Sequence, residues 1–224
     1  MSRLKTIVAF LLIIFIYSFN QKAKSADIEK LKTTTKVVIK DIRKTESKPF
    51  KKDIQKTSQN IENFIPKNYT ILDSTSGDLN LDNYKDMILV LSKNGEEQTS
   101  DVVDHPEKRP LLILIGQPNN KYKLVSRNDN TVYCFDCGGI MGDPYTGITI
   151  KNGYFSVKHY GGSNWRWTRI ITYKYSKKES NWFLYKDGSE SFHVSDPEKI
   201  TKTILTTKNF GKVPFKIFDI YKDK

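Results

Sequence analysis

A chain of 224 residues with 38% hydrophobic, 28% charged and 12% aromatic side chains has the composition of a globular protein, neither disordered nor collagen-like. Its 37 Lys and Arg stand against 25 Asp and Glu, a formal net charge of +12, and only six of the basic residues are Arg. Two Cys and three His exclude a disulfide framework, a four-Cys zinc site and a His-rich metal centre built from this chain alone.

Arg3 and Lys5 precede an apolar run from Ile7 to Phe19, with no acidic residue before Asp27. Ala23-Lys24-Ser25 then places small residues at the −3 and −1 positions of a cleavage before Ala26. The pattern predicts a signal peptide over residues 1–25. The apolar run is too short to cross a bilayer core of about 30 Å. No Cys near the cleavage point offers a lipidation site, so no stable membrane span is expected after cleavage. Removal leaves 33 basic against 25 acidic side chains, net +8, a scattered excess that argues a solvated surface rather than a nucleic-acid footprint. The expected address is periplasmic or secreted.

Residues 26–60 are rich in Lys, Thr, Ser, Gln and Glu and read as a flexible spacer. The alternative is a docked helix with Ile28, Leu31, Val37, Val38 and Ile42 on one stripe, which Thr33-Thr34-Thr35 interrupts.

From residue 61 to 224 the pattern is that of a single β domain. Strands are predicted at Tyr69–Ser74, Met87–Ser92, Leu111–Gly116, Tyr122–Arg127, Thr131–Phe135, Gly147–Lys151, Tyr154–Tyr160, Arg166–Tyr175 and Trp182–Lys186. Turn residues separate them at Asn119-Asn120, Asn128-Asp129-Asn130, Lys151-Asn152-Gly153 and Asp187-Gly188. Short strands with tight links predict a mainly β fold of antiparallel sheets in a meander, as a sandwich or partly open barrel. Asn152-Gly153 marks the clearest hairpin. Ile200–Thr207 and Val213–Tyr221 are expected to close the domain as edge strands or a short helix.

Three constellations could carry chemistry. In the loop from Gly77 to Asp86, oxygen-bearing side chains recur at Asp78, Asn80, Asp82 and Asp86, with the Tyr84 carbonyl available between them. Ca²⁺ takes six to eight oxygens, and a bound cation would relieve the repulsion of three close carboxylates. Leu89 stands where an EF-hand has its bidentate Glu, so the site would be a strand–loop–strand one. The rival is an Asp/Asn-rich turn that needs no metal. The second, Cys134-Phe135-Asp136-Cys137, reads as a small structural disulfide in an exported chain; zinc would need two more ligands, and a redox pair would open a helix. The third, His159-Tyr160-Gly161-Gly162-Ser163-Asn164-Trp165-Arg166-Trp167-Thr168-Arg169, places Gly161–Asn164 at a hairpin tip. It reads either as a core hairpin burying two Trp, or as a partner-binding loop in which Tyr160, Gly161, Gly162, Trp165 and Arg166 engage another protein.

No nucleophile elbow, zinc-protease helix or phosphate loop is present, and His105, His159 and His193 have no recognisable catalytic partner pattern. The Asp78–Asp86 loop resembles FG-GAP-type calcium modules. Together with Phe64-Ile65-Pro66, Cys134–Gly139, Asp143-Pro144, His159–Trp167 and Val213-Pro214-Phe215, it resembles small exported bacterial proteins of unassigned function. The ion loop alone is similar to that of periplasmic immunity proteins and lysozyme inhibitors, a resemblance that implies a wall hydrolase as target. The expected function is a non-enzymatic, calcium-stabilised envelope protein that binds another protein, with no nucleic-acid partner. The rivals are a wall- or polysaccharide-processing enzyme, which needs two converging carboxylates, and a structural envelope component.

Overall fold

The computed structural model describes residues 61–118 and 121–222. The signal peptide and spacer readings lie outside the described residues. Nine strands form two antiparallel meanders. Four build the first sheet in order: β1 (Tyr69–Gly77), β2 (Asp86–Lys93), β3 (Arg109–Gln117) and β4 (Lys121–Val132). Five build the second: β5 (Tyr145–Lys151), β6 (Tyr154–Gly162), β7 (Trp165–Ser176), β8 (Asn181–His193) and β9 (Asp196–Thr206). Two one-turn helices, α1 (Glu96–Thr99) and α2 (Thr207–Phe210), interrupt the strands. The fold is mainly β, as expected, and neither sheet closes into a barrel.

Continuous apolar runs in β2 and β3 explain how the first sheet packs, because such strands are buried on both faces. Ile88 and Val90 pair with Ile113 and Leu111 and face the core shared with the second sheet. Leu89 pairs with Leu112 and, with Leu91 and Leu114, forms a separate cluster capped by Ile61, Phe64 and Ile65. The second sheet alternates instead. Phe155 and Val157 of β6 and Ile171 and Tyr173 of β7 point inward. Phe155 stacks on Tyr173 with ring centroids 4.7 Å apart, and Phe215 meets both edge-on. Burying each such side chain stabilises the fold by about 1.5–3 kcal/mol.

Three boundaries differ from the sequence reading. Tyr122–Arg127 and the start of the segment expected at Thr131–Phe135 belong to one strand, β4, which ends at Val132; Asn128 is not a turn residue, since its amide donates to the carbonyls of Phe215 and Phe218 and anchors the C-terminal segment. Asp187-Gly188 lies within β8, since Asp187 is buried against Arg169 on β7. Val213–Tyr221 forms neither an edge strand nor a regular helix; it makes one β-bridge from Pro214 to Phe183 and a single 3-10 turn at Phe215–Ile217.

Candidate functional site

The loop between β1 and β2 is bound to the core by Leu79, which is fully buried. The indole of Trp182 donates to the Leu79 carbonyl at 3.2 Å, and Gly153 N–H donates to the Asp78 carbonyl at 3.1 Å. Its acids point at backbone donors. Asp78 accepts from the N–H groups of Leu81, Asp82 and Asn83, and Asp82 accepts from Tyr84 N–H and the Asn80 amide. Asp86 is fully buried and accepts from Leu79, Asn80 and Gly116 N–H, which ties the loop to β3. Burial raises the Asp86 pKa, and the N–H donors offset that only in part. Leu81 and Asn83 take positive φ angles of 64° and 68°, which lets the loop wind this tightly. Among the described residues no group of three or more His, Cys, Asp or Glu is placed to hold a metal ion.

Cys134 and Cys137 are joined at disulfide distance, their Cα atoms 5.1 Å apart. Asp136 between them accepts from Ser100 Oγ at 2.6 Å and Val102 N–H at 2.7 Å, so the cysteine loop holds the loop that follows α1. On its other side Gly138 accepts from Gly162 N–H at 2.8 Å, which joins it to the β6–β7 hairpin. Val194, after β8, donates to the Asn164 carbonyl at 2.9 Å. Four loops are thereby linked at one end of the molecule.

The hairpin tip is shorter than expected, only Ser163-Asn164, because β6 runs on to Gly162. Tyr160 is half-buried within β6 and pairs with Thr168. Gly161 is buried: a Cβ there would lie 2.6 Å from the Trp167 ring and 3.0 Å from Gly138, so a small residue is required. Gly162 has φ of +113° and makes the turn. Trp165 is 60% exposed and meets His193 edge-on at 5.2 Å; Trp167 is half-buried, so the two Trp do not both enter the core. Arg166 donates to the Gly162 carbonyl. The structure thus brings Trp165 to the surface and packs Gly161 inside. The linked loops carry further exposed apolar side chains, Val103 at 81% and Ile140 at 80%, beside Val102, Met141 and Val194.

Behind this end lies a cavity of about 600 Å³ on the inner face of β7–β9. Arg169 crosses to Asp187 with two bonds, 3.1 and 2.9 Å, and its Nη1 donates to the Tyr133 hydroxyl at 2.6 Å. Ser189 and Thr203 line it as cross-strand partners. Trp167 and Tyr221 flank Tyr133, each edge-on with centroids 5.7 and 5.8 Å away. The sequence marks Asp187 only as a turn residue and Ser189, Thr203 and Tyr133 not at all as site residues; the four converge only through sheet register and a bond made 36 residues away.

His159 lies under this wall, buried against Tyr133 and Tyr145. Desolvation, helped by the nearby positive charges of Arg169 and Arg109, holds its pKa down at about 3, so the ring stays neutral. Its Nε2 accepts from the Tyr133 N–H at 3.4 Å, and the ring packs edge-on against the two tyrosines. A second buried network sits near the cysteine loop. Arg109, with no exposed surface, bonds Glu96 of α1 through Nε at 3.0 Å and Asp143 through two bonds of 2.7 and 2.9 Å.

No family model matches the chain, and no curated protein or solved structure matches it significantly. Among the described residues no helix is long and apolar enough to cross a membrane.

Proposed function

We propose that this chain is an exported, non-enzymatic binding protein of the bacterial envelope, whose linked loop end docks on another protein, as an inhibitor or immunity factor toward a cell-wall hydrolase. One observation carries the reading: Val103 and Ile140 on the loops, and Trp165 at the start of β7 beside them, are largely exposed at an end that hydrogen bonds hold together. Large apolar side chains gathered this way mark interaction surfaces, and aromatic anchors dominate their energetics. Sugar hydrolysis generally needs two carboxyl groups flanking the bond, whereas the cavity lining offers Asp187, already held by Arg169.

Calcium is part of the proposal as a staple of the β1–β2 loop, with Asp78, Asn80, Asp82, the Tyr84 carbonyl and Asp86 as its ligand set. Carboxylate oxygens have lone pairs beyond those given to N–H groups, so the exposed Asp82 could turn to a cation by releasing the Asn80 amide.

Capture of partners from periplasmic extract tests the reading. Ile140→Ser and Trp165→Ser should each weaken the captured complex at least tenfold while leaving the melting temperature within a few degrees. Full retention by both folded variants would remove the loop end as the docking surface.

A further inference from the structure

We infer that the cavity between β7–β9 and the C-terminal segment is a binding site for a neutral oligosaccharide. The inference goes beyond the protein-docking reading and does not depend on it. Its size lies in the range of small-molecule sites. The chemistry of the lining selects among ligands. Two cations line the cavity: Arg169 on the floor, whose charge is already met by Asp187 through two bonds, and the exposed Lys222. An anionic ligand could reach Arg169 only by displacing a buried carboxylate from its fitted guanidinium, leaving that carboxylate uncompensated, and at Lys222 it would gain only a solvent-screened contact. A purely apolar ligand would cover the ion pair and the hydroxyls of Ser189 and Thr203 while replacing none of the water they bind. What remains is a ligand that is uncharged, rich in hydroxyls and apolar on one face.

A pyranose ring has that character. Its C–H face fits the aromatic ring of Trp167, with Tyr221, one face of which is covered by Lys108, beside it in the lining. Its hydroxyls both donate and accept, as do those of Ser189 and Thr203 across the β8–β9 ladder. The wall is built rather than incidental: Tyr133 is fixed by the Arg169 bond and by edge contacts to Trp167, Tyr221 and His159. Trp167 in turn lies against Gly161, where any side chain would collide with its ring. The glycine of the third motif therefore serves the cavity.

Titration of the full exported chain with chitotriose, cellotriose and maltotriose, followed by calorimetry and ligand-observed NMR, tests the site. At least one trisaccharide should bind with a dissociation constant in the micromolar to low millimolar range. Trp167→Ala should abolish that binding. Because this variant could also loosen the hairpin, the double variant Ser189→Ala/Thr203→Val supplies a second arm: it should keep the melting temperature and lose at least tenfold in affinity. Arg166→Ala, on the opposite face of β7, should bind as the parent does. Saturating binding of laurate or inorganic phosphate with no response to any of the three sugars overturns the inference, as does silence toward all probes. Sugar affinity unchanged in both cavity variants overturns it too. Ile140→Ser separates the two proposals, since it should impair partner capture and leave sugar affinity intact.

Discussion

Tyr145, on the β5 edge of the five-stranded sheet, donates its hydroxyl to Asp73, on the β1 edge of the four-stranded sheet, at 2.8 Å. That bond fastens one open side of the paired sheets. Tyr145→Phe keeps the ring and removes the donor, so unfolding in urea should show a loss of about 1–3 kcal/mol. Burial, and next the bond to Asp73, push the phenol above its ordinary value of 10. A raised folded-state pKa means stability that is complete below pH 10 and lost as the pH climbs beyond it. The Phe variant should show a shallower alkaline decline than the parent.

Arg109 carries the larger risk. Its guanidinium is wholly buried between Glu96 and Asp143, and Glu96 is itself buried. Arg109→Met would leave those acids unpaired and should cost about 3–5 kcal/mol in thermal or chemical denaturation. Arg109→Lys should rescue little, because one ammonium cannot make paired bonds to two carboxylates.

Acid should weaken the fold through His159. Its folded-state pKa of about 3 lies below the ordinary 6.5, so the ring contributes stability above pH 6.5. That contribution is lost as pH falls from 6.5 toward 3, by about 1.4 kcal/mol per pH unit for this single proton. Comparing parent and His159→Gln by urea unfolding between pH 7 and 4 isolates it. Parallel pH profiles would show that the proton goes elsewhere.

The strand pattern was legible because alternation and apolar runs are local properties: seven of the nine observed strands contain a single predicted strand, and β9 covers most of the segment expected as an edge strand or a short helix. The exception, β4, and the extension of β8 have one physical origin. Asn128 and Asp187 look like turn residues, yet each has a distant partner that satisfies it inside a strand: Phe215 and Phe218 for one, Arg169 for the other. The cysteine pair was legible from spacing and the hairpin from Gly161-Gly162. The cavity was not. Trp167 and Arg169 appear in the sequence as a strand fragment, and only register with β8 and β9 brings Asp187, Ser189 and Thr203 alongside.

Two substitutions separate scaffold from ion chemistry in the β1–β2 loop. Asp86→Ala orphans three N–H groups and should cost at least about 2 kcal/mol with or without calcium. Asp82 is exposed, and Asp82→Ala should cost less than about 1 kcal/mol in chelator. If calcium binds, it raises the parent's melting temperature in proportion to RT ln(1 + [L]/Kd), and Asp82→Ala should erase that rise. Identical melting curves for metal-free parent with calcium and with chelator would leave the loop as a self-bonded turn.

Ile61, Phe64 and Ile65 sit over Leu89, Leu91, Leu112 and Leu114, so the packed unit of this fold starts ahead of its first strand. A fusion or library clone begun at Tyr69 would contain every strand and still lack a lid on the four-stranded sheet. Its leucines would then form a greasy panel facing water, on which further copies of the clone could gather. Poor yield from such a clone would report a misplaced cut rather than a weak sheet.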